Sequence, residues 1–230
     1  MNHTYSFPLL VLACALFFFG CDSNDDEDSA PLQASTIQDI AADPVTGRDP
    51  VTGQPFSLNQ YALVSLRSGA VVLPFDATNR GDSSSTSWDI GFQGTNIIFN
   101  GGASGPGEAA AVILEQPFES VTEAPADSEF RTDGTSICTT SSGDASAPLA
   151  VCAGSDNGWY NYNPATNLIS PLAGRTIVVR TADGRFGKFR ILSYYQGNPP
   201  ITDVTAQTPS RYYSIEYVFQ EDGSRRLESL

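Results

Sequence analysis

From Tyr61 onward the chain alternates short apolar runs with glycine and polar punctuation, a pattern of strands rather than helices. Residues 61–67 and 70–75 flank Ser68-Gly69, a hairpin signal. Residues 88–93, 95–99 and 109–114 are further short apolar runs broken by glycine. Residues 175–181 are β-branched, and Asp183-Gly184 is a favoured two-residue type I′ turn into residues 185–195, the clearest hairpin of the chain. In the last run, Tyr213, Ile215, Tyr217 and Phe219 alternate with Tyr212, Ser214 and Glu216, a period of two with one face buried. Residues 120–130 are the best place for a short helix. The pattern predicts a mainly β protein, a single antiparallel, sheet-rich domain with few short helices.

The first third reads differently. Residues 7–20 form an apolar stretch of signal-peptide length, too short to span a bilayer as a helix. Phe18-Phe19-Gly20-Cys21 follows as a lipoprotein cleavage box, in which the cysteine thiol is acylated and becomes the new N-terminus. Val11-Leu12-Ala13-Cys14 is a competing box and stays open, as does a secreted chain without lipid. Cleavage at Cys21 places an acidic run, residues 22–28, directly behind the anchor. That run is a solvated linker by composition; it also resembles the surface-export signals of Bacteroidetes-type lipoproteins. The expectation is a signal peptide over 1–20, palmitate or a similar acyl chain on Cys21, an acidic flexible tether over 21–43, and a β domain over 44–230. It places the protein at the outer membrane or cell surface, held to the membrane by its lipid. Residues 43–47 and 49–53 repeat Asp-Pro-Val-Thr-Gly, which suggests two successive turns.

Composition narrows the chemistry. With 12 basic and 26 acidic residues the net charge is −14, which repels phosphate backbones, so no nucleic-acid partner is expected. His3 and Met1 are the only histidine and methionine, and both lie in the leader. The chain beyond the leader therefore lacks Ser-His-Asp or Cys-His catalysis, His-ligated zinc and a histidine proton shuttle. Glu108, Glu115 and Asp89 are carboxylates whose spacing singles out no acid–base pair, and the protein reads as non-catalytic. Cys138 and Cys152 remain after the leader and the lipid site. In an exported chain they most simply form a disulfide, closing a loop of about 15 residues worth roughly 3 kcal/mol. As a metal site the pair has neither a histidine nor a third cysteine beside it. Trp88 and Trp159 are expected as core aromatics, and Tyr194-Tyr195 as one buried and one exposed ring.

Three segments carry a resemblance. The first is Trp88-Asp89-Ile90-Gly91-Phe92, followed by the glycine-rich residues 100–107; the second is Trp159-Tyr160-Asn161-Tyr162. The third runs from Thr176 to Tyr195 and combines a hairpin with basic and aromatic residues. Together, over residues 58–220, they resemble the HmuY family of outer-membrane haem-binding lipoproteins. The resemblance implies a haemophore-like β protein that holds haem between loops at one end and passes it to a TonB-dependent receptor. It also implies axial iron ligands from a pair of His or a pair of Met, and neither type occurs after the leader. A phenolate is an alternative iron ligand, and Tyr160 and Tyr162 stand where ligand-bearing loops are expected; arginines could pair with propionates. Haem, or another small ligand, is the candidate cargo. The other reading is a cell-surface adhesion or assembly lipoprotein that keeps the scaffold without haem binding.

Overall fold

The computed structural model describes Met1, residues 31–135, Cys138 and residues 148–230. The signal peptide, Cys21 and the tether as far as residue 30 lie outside the described residues. Pro31–Leu230 is one compact unit whose apolar clusters are built from its own residues.

Its strands are β1 (Ser35–Ala41), β2 (Gly47–Arg48), β3 (Pro55–Phe56), β4 (Ala62–Ser65) and β5 (Ala70–Leu73). They are followed by β6 (Ile90–Gln93), β7 (Asn96–Phe99), β8 (Ala110–Leu114), β9 (Tyr160–Asn163) and β10 (Leu168–Pro171). Last come β11 (Thr176–Arg180), β12 (Phe186–Tyr195) and β13 (Ser210–Gln220). A five-stranded sheet runs in the order β1-β13-β12-β11-β8 and a four-stranded sheet in the order β5-β4-β6-β7. Every pairing in both is antiparallel. β2–β3 and β9–β10 are separate two-stranded ribbons. The protein is mainly β, as its alternating pattern predicts.

The two sheets share one core. Val64, Ile90, Phe92, Ile97 and Phe99 pack with Ile177, Val179, Phe189, Ile191, Tyr213 and Ile215. Phe92 touches the opposite sheet directly, its ring centroid 4.7 Å from Tyr213 and 6.4 Å from Phe189. The reverse face of the five-stranded sheet is covered too. Val178 and Phe186 meet Val121, Ala124 and Leu227 there, so β11 and β12 are buried on both faces and their sequences lose clean alternation. A third cluster, Leu63, Leu73 and Trp88, lies beside Tyr61, Ala77 and Ile98.

Several details differ from the expectation. The chain enters the fold before residue 44: β1 pairs with β13, and Ile37, Ile40 and Ala42 are buried. The flexible stretch ending at Asp43 is thereby corrected. Residues 120–130 hold no α-helix, only short 3₁₀ turns at Phe118–Ser120 and Asp127–Glu129. Pro125 lies in the middle of this stretch and interrupts helical hydrogen bonding. At the hairpin between β11 and β12 only Gly184 has positive φ (+82°), with its N–H donated to Thr181 O at 3.0 Å. A type I′ turn needs positive φ at Asp183 as well, so the loop is of another kind. In β13, Tyr213 and Ile215 are buried as expected, but so are Ser214 and Val218 on the alternate face. Tyr194 and Tyr195 are both buried, because the register of β12 shifts between Ser193 and Tyr195.

Candidate functional site

A cleft of about 570 Å³ opens beside the third apolar cluster. The sheet supplies its apolar floor: Leu63 from β4 and Ile98 from β7, with Trp88 just ahead of β6. The loop Gly102–Pro106 forms one wall, and Gln60, Tyr61, Arg80, Ser83 and Ser84 complete the lining. Arg80 is the only charged side chain among these lining residues, in a protein of net charge −14.

Buried hydrogen bonds fix this geometry. Asn100 is fully buried; its Nδ2 donates to Ser85 O (2.9 Å) and Trp88 O (2.8 Å), and its Oδ1 accepts from Gly107 N–H (3.1 Å). One side chain thus ties the loop ahead of β6 to the glycine-rich loop. The glycines allow close approach rather than cradling phosphate. A Cβ on Gly101 would meet Ala109 O, one on Gly105 would meet Asn100 Oδ1, and Gly102 has φ +57°. Asp89 accepts from Leu66 N–H (2.8 Å) and Ala182 N–H (3.0 Å), joining the two sheets. Asp133 accepts from Phe99 N–H (2.8 Å) and Ala150 N–H (2.7 Å). Burial raises both carboxyls above the ordinary carboxylate range. These acids are scaffolding, each engaged with backbone donors.

Arg80 is held from behind by carbonyls. Nη1 donates to Pro74 O (2.9 Å) and Phe75 O (3.2 Å), and Nη2 donates to Tyr61 O (2.6 Å). Trp88 Nε1 donates to Ser83 O at 3.1 Å, fixing the indole. Burial, helped by the charge of Asp133, pushes the Tyr61 phenol above its ordinary pKa.

The tyrosines singled out by sequence stand elsewhere, and neither lines this cleft. Tyr160 is buried with its ring 4.8 Å from Trp159, in a cluster that also holds Tyr194 and Tyr213. Tyr162 is exposed, and its hydroxyl donates to Asn167 Oδ1 at 2.7 Å. The hydroxyls of Tyr195 and Tyr213 are also engaged, with Ile169 N–H (2.9 Å) and Gly94 O (2.9 Å). Cys138 and Cys152 are joined as a disulfide, with their Cα atoms 5.4 Å apart. Among the described residues no group of three or more His, Cys, Asp or Glu could hold a metal ion, and no helix is long and apolar enough to cross a membrane. Sequence reasoning missed Tyr61 and Arg80. Tyr61 sits at the start of a strand and Arg80 in a polar loop, and nothing in the spacing of either signals that they meet.

A family model described as HmuY protein matches residues 57–217. The chain belongs to the HmuY family. No curated protein matches it. Similar solved structures include a HmuY-like heme-binding protein from Bacteroides vulgatus, 15% identical, covering 81% of this chain and 92% of that one, with TM-score 0.45. An apo HmuY analog from Tannerella forsythia is 17% identical over 82% of this chain and 95% of that one, TM-score 0.42. Apo PinO from Porphyromonas gingivitis is 12% identical over 82% and 98%, TM-score 0.44. The HmuY match takes in every residue lining the cleft and leaves β1 to β3 outside.

Proposed function

We propose that this is a lipid-anchored, non-catalytic binding module at the outer membrane or cell surface, which takes up haem or a related nutrient and hands it to a TonB-dependent receptor. The observation that carries the reading is the HmuY match across residues 57–217. Its anchor is the acylated sulfur of Cys21, with the acidic residues behind it spacing the β body from the membrane. One observation favours a second reading. With no His or Met after the leader, the scaffold could serve surface adhesion or assembly and bind no haem.

Haemin titrated into residues 31–230 separates the two. A sharpened, shifted Soret band saturating at one equivalent supports uptake; a spectrum identical to free haemin supports the second reading. The placement of Tyr160 and Tyr162 argues against either as the ligand. Phenylalanine at either position should leave the titration unchanged, and loss of binding in Tyr162→Phe would restore that tyrosine as a candidate.

A further inference from the structure

The floor of the cleft beside Trp88 is closed to a ligand, since Leu63 and Trp88 are only 2% and 1% exposed. What the cleft presents instead is its polar rim. Its volume of about 570 Å³ falls inside the range of small-molecule sites, roughly 300–1,000 Å³. No Asp or Glu lines it, in a chain that carries 26 of them, and Arg80 is its one charged side chain.

That cation is organised for a single negative charge. Arginine carries five N–H donors, and three of Arg80's are taken by the carbonyls of Tyr61, Pro74 and Phe75. Carbonyl acceptors orient the guanidinium without neutralising it, and among the described residues no carboxylate pairs with it. Nε–H and one Nη2–H are left without an acceptor among the described residues. A carboxylate arriving there meets an intact positive charge with two donors to spare. A phosphomonoester brings about −1.5 to −2 at neutral pH, more than one guanidinium balances.

The neutral groups of the rim narrow the ligand further. Arg80 leads into the 3₁₀ turn Gly81–Ser84, which sets Ser83 and Ser84 in the cleft wall three and four residues on. Other serines nearby are committed. The hydroxyls of Ser85 and Ser87 bond each other at 2.6 Å, and that of Ser104 is engaged with the buried Asp133. The hydroxyls of Ser83 and Ser84 and the carboxamide of Gln60 make no hydrogen bond to any described residue. Each of these three groups both donates and accepts, as a sugar hydroxyl does. We infer that the cleft binds a sugar acid of the hexuronate class, its carboxylate on Arg80 and its hydroxyls on Ser83, Ser84 and Gln60. This site involves no haem and stands independently of the uptake reading.

The two tryptophans supply a probe and its control. The Trp88 indole N–H donates to Ser83 O at 3.1 Å, so a ligand on Ser83 should move its NMR resonance. The Trp159 indole N–H donates to Thr95 O at 3.0 Å, and Trp159 does not line the cleft. Glucuronate titrated into ¹⁵N-labelled residues 31–230 should shift the Trp88 signal saturably and leave that of Trp159 in place. Loss of one charge-assisted contact predicts at least about a tenfold weaker Kd for glucuronate methyl ester and for glucose. Arg80→Gln should weaken glucuronate to the same degree. Because Arg80 also ties three carbonyls, the ester on the unaltered protein decides the point if that variant does not fold. Acetate should bind at least about tenfold more weakly than glucuronate, and Ser83→Ala with Ser84→Ala should weaken glucuronate while leaving acetate unchanged. Methyl glucuronoside binding as well as the free acid would identify the terminal residue of a glycan as a source; binding of the free acid alone would identify the free sugar. Glucose or the ester held as tightly as glucuronate overturns the contact with Arg80. Acetate or inorganic phosphate held as tightly leaves a bare anion site and overturns the sugar acid. No saturable shift of Trp88 up to about 10 mM glucuronate overturns the site itself. None of these outcomes alters the haemin titration, which tests the uptake reading separately.

Discussion

Lys188 shows how much one residue can settle. It is the only lysine in the chain, and it is fully buried on β12. Its Nζ donates to Phe118 O (2.7 Å) and Val121 O (2.8 Å) and lies 4.3 Å from the Phe118 ring centroid. The ammonium thus caps the 3₁₀ turn Phe118–Ser120, at the leading edge of the stretch where the sequence pattern expects a short helix. Burial lowers its pKa to about 8 from 10.5. Lys188→Met should cost about 1–3 kcal/mol, because two buried carbonyls lose their donor while one desolvated charge is removed. The pH dependence has a definite sign. Between pH 8 and 10.5 the unfolded chain keeps a proton that the folded chain has released, so wild-type stability rises with pH through that window. Urea unfolding at about pH 7 and about pH 9.5 should therefore show the gap between wild type and Lys188→Met widening at the higher pH. Parallel behaviour of the two proteins would count against it. None of this was legible from sequence, where a lone lysine beside arginines on a hairpin reads as one more solvated charge.

Among the elements, the hairpins were the easiest to read and β1 the hardest, for physical reasons. Ser68-Gly69 and Asp183-Gly184 each sit between apolar runs, and the pairings β4–β5 and β11–β12 follow from them. β1 hides because its register shifts between Ile37 and Ile40, with Asp39 at φ +55°. Two isoleucines three apart then both face the core, a spacing that does not announce a strand. Asp39 is fixed in that conformation by accepting the Gly197 N–H at 2.7 Å. The acidic residues just before it completed the impression of a tether. A chain trimmed to begin at Asp43 should lose at least about 4 kcal/mol relative to one beginning at Pro31, since two buried isoleucines leave the core. It also exposes the edge of β13 to intermolecular pairing. Thermal unfolding and light scattering of the two forms measure this; equal midpoints would mean that β1 is dispensable. The cleft was illegible for a different reason. Tyr61, Arg80, Trp88 and the glycine loop are brought together by the order β5-β4-β6-β7, and local patterning carries no record of that order.

For the whole molecule, the sequence speaks most directly about address and charge. Mass spectrometry of the protein recovered from membranes should find acyl groups on Cys21, and an unmodified N-terminus farther along the chain would reject that anchor. A net charge of −14 keeps the body apart from anionic headgroups, so under the anchoring proposed above the lipid, and not the surface of the fold, would hold the protein to a membrane. The positive charge of the chain is carried by 11 arginines and one enclosed lysine. Since guanidinium stays protonated throughout the biological range, the cationic side of the surface does not titrate. With Lys188 shut behind Phe118, the folded body presents no ε-amine to solvent. Reagents that label or cross-link proteins through lysine side chains, and proteases specific for lysine, would find no foothold there until the fold has opened.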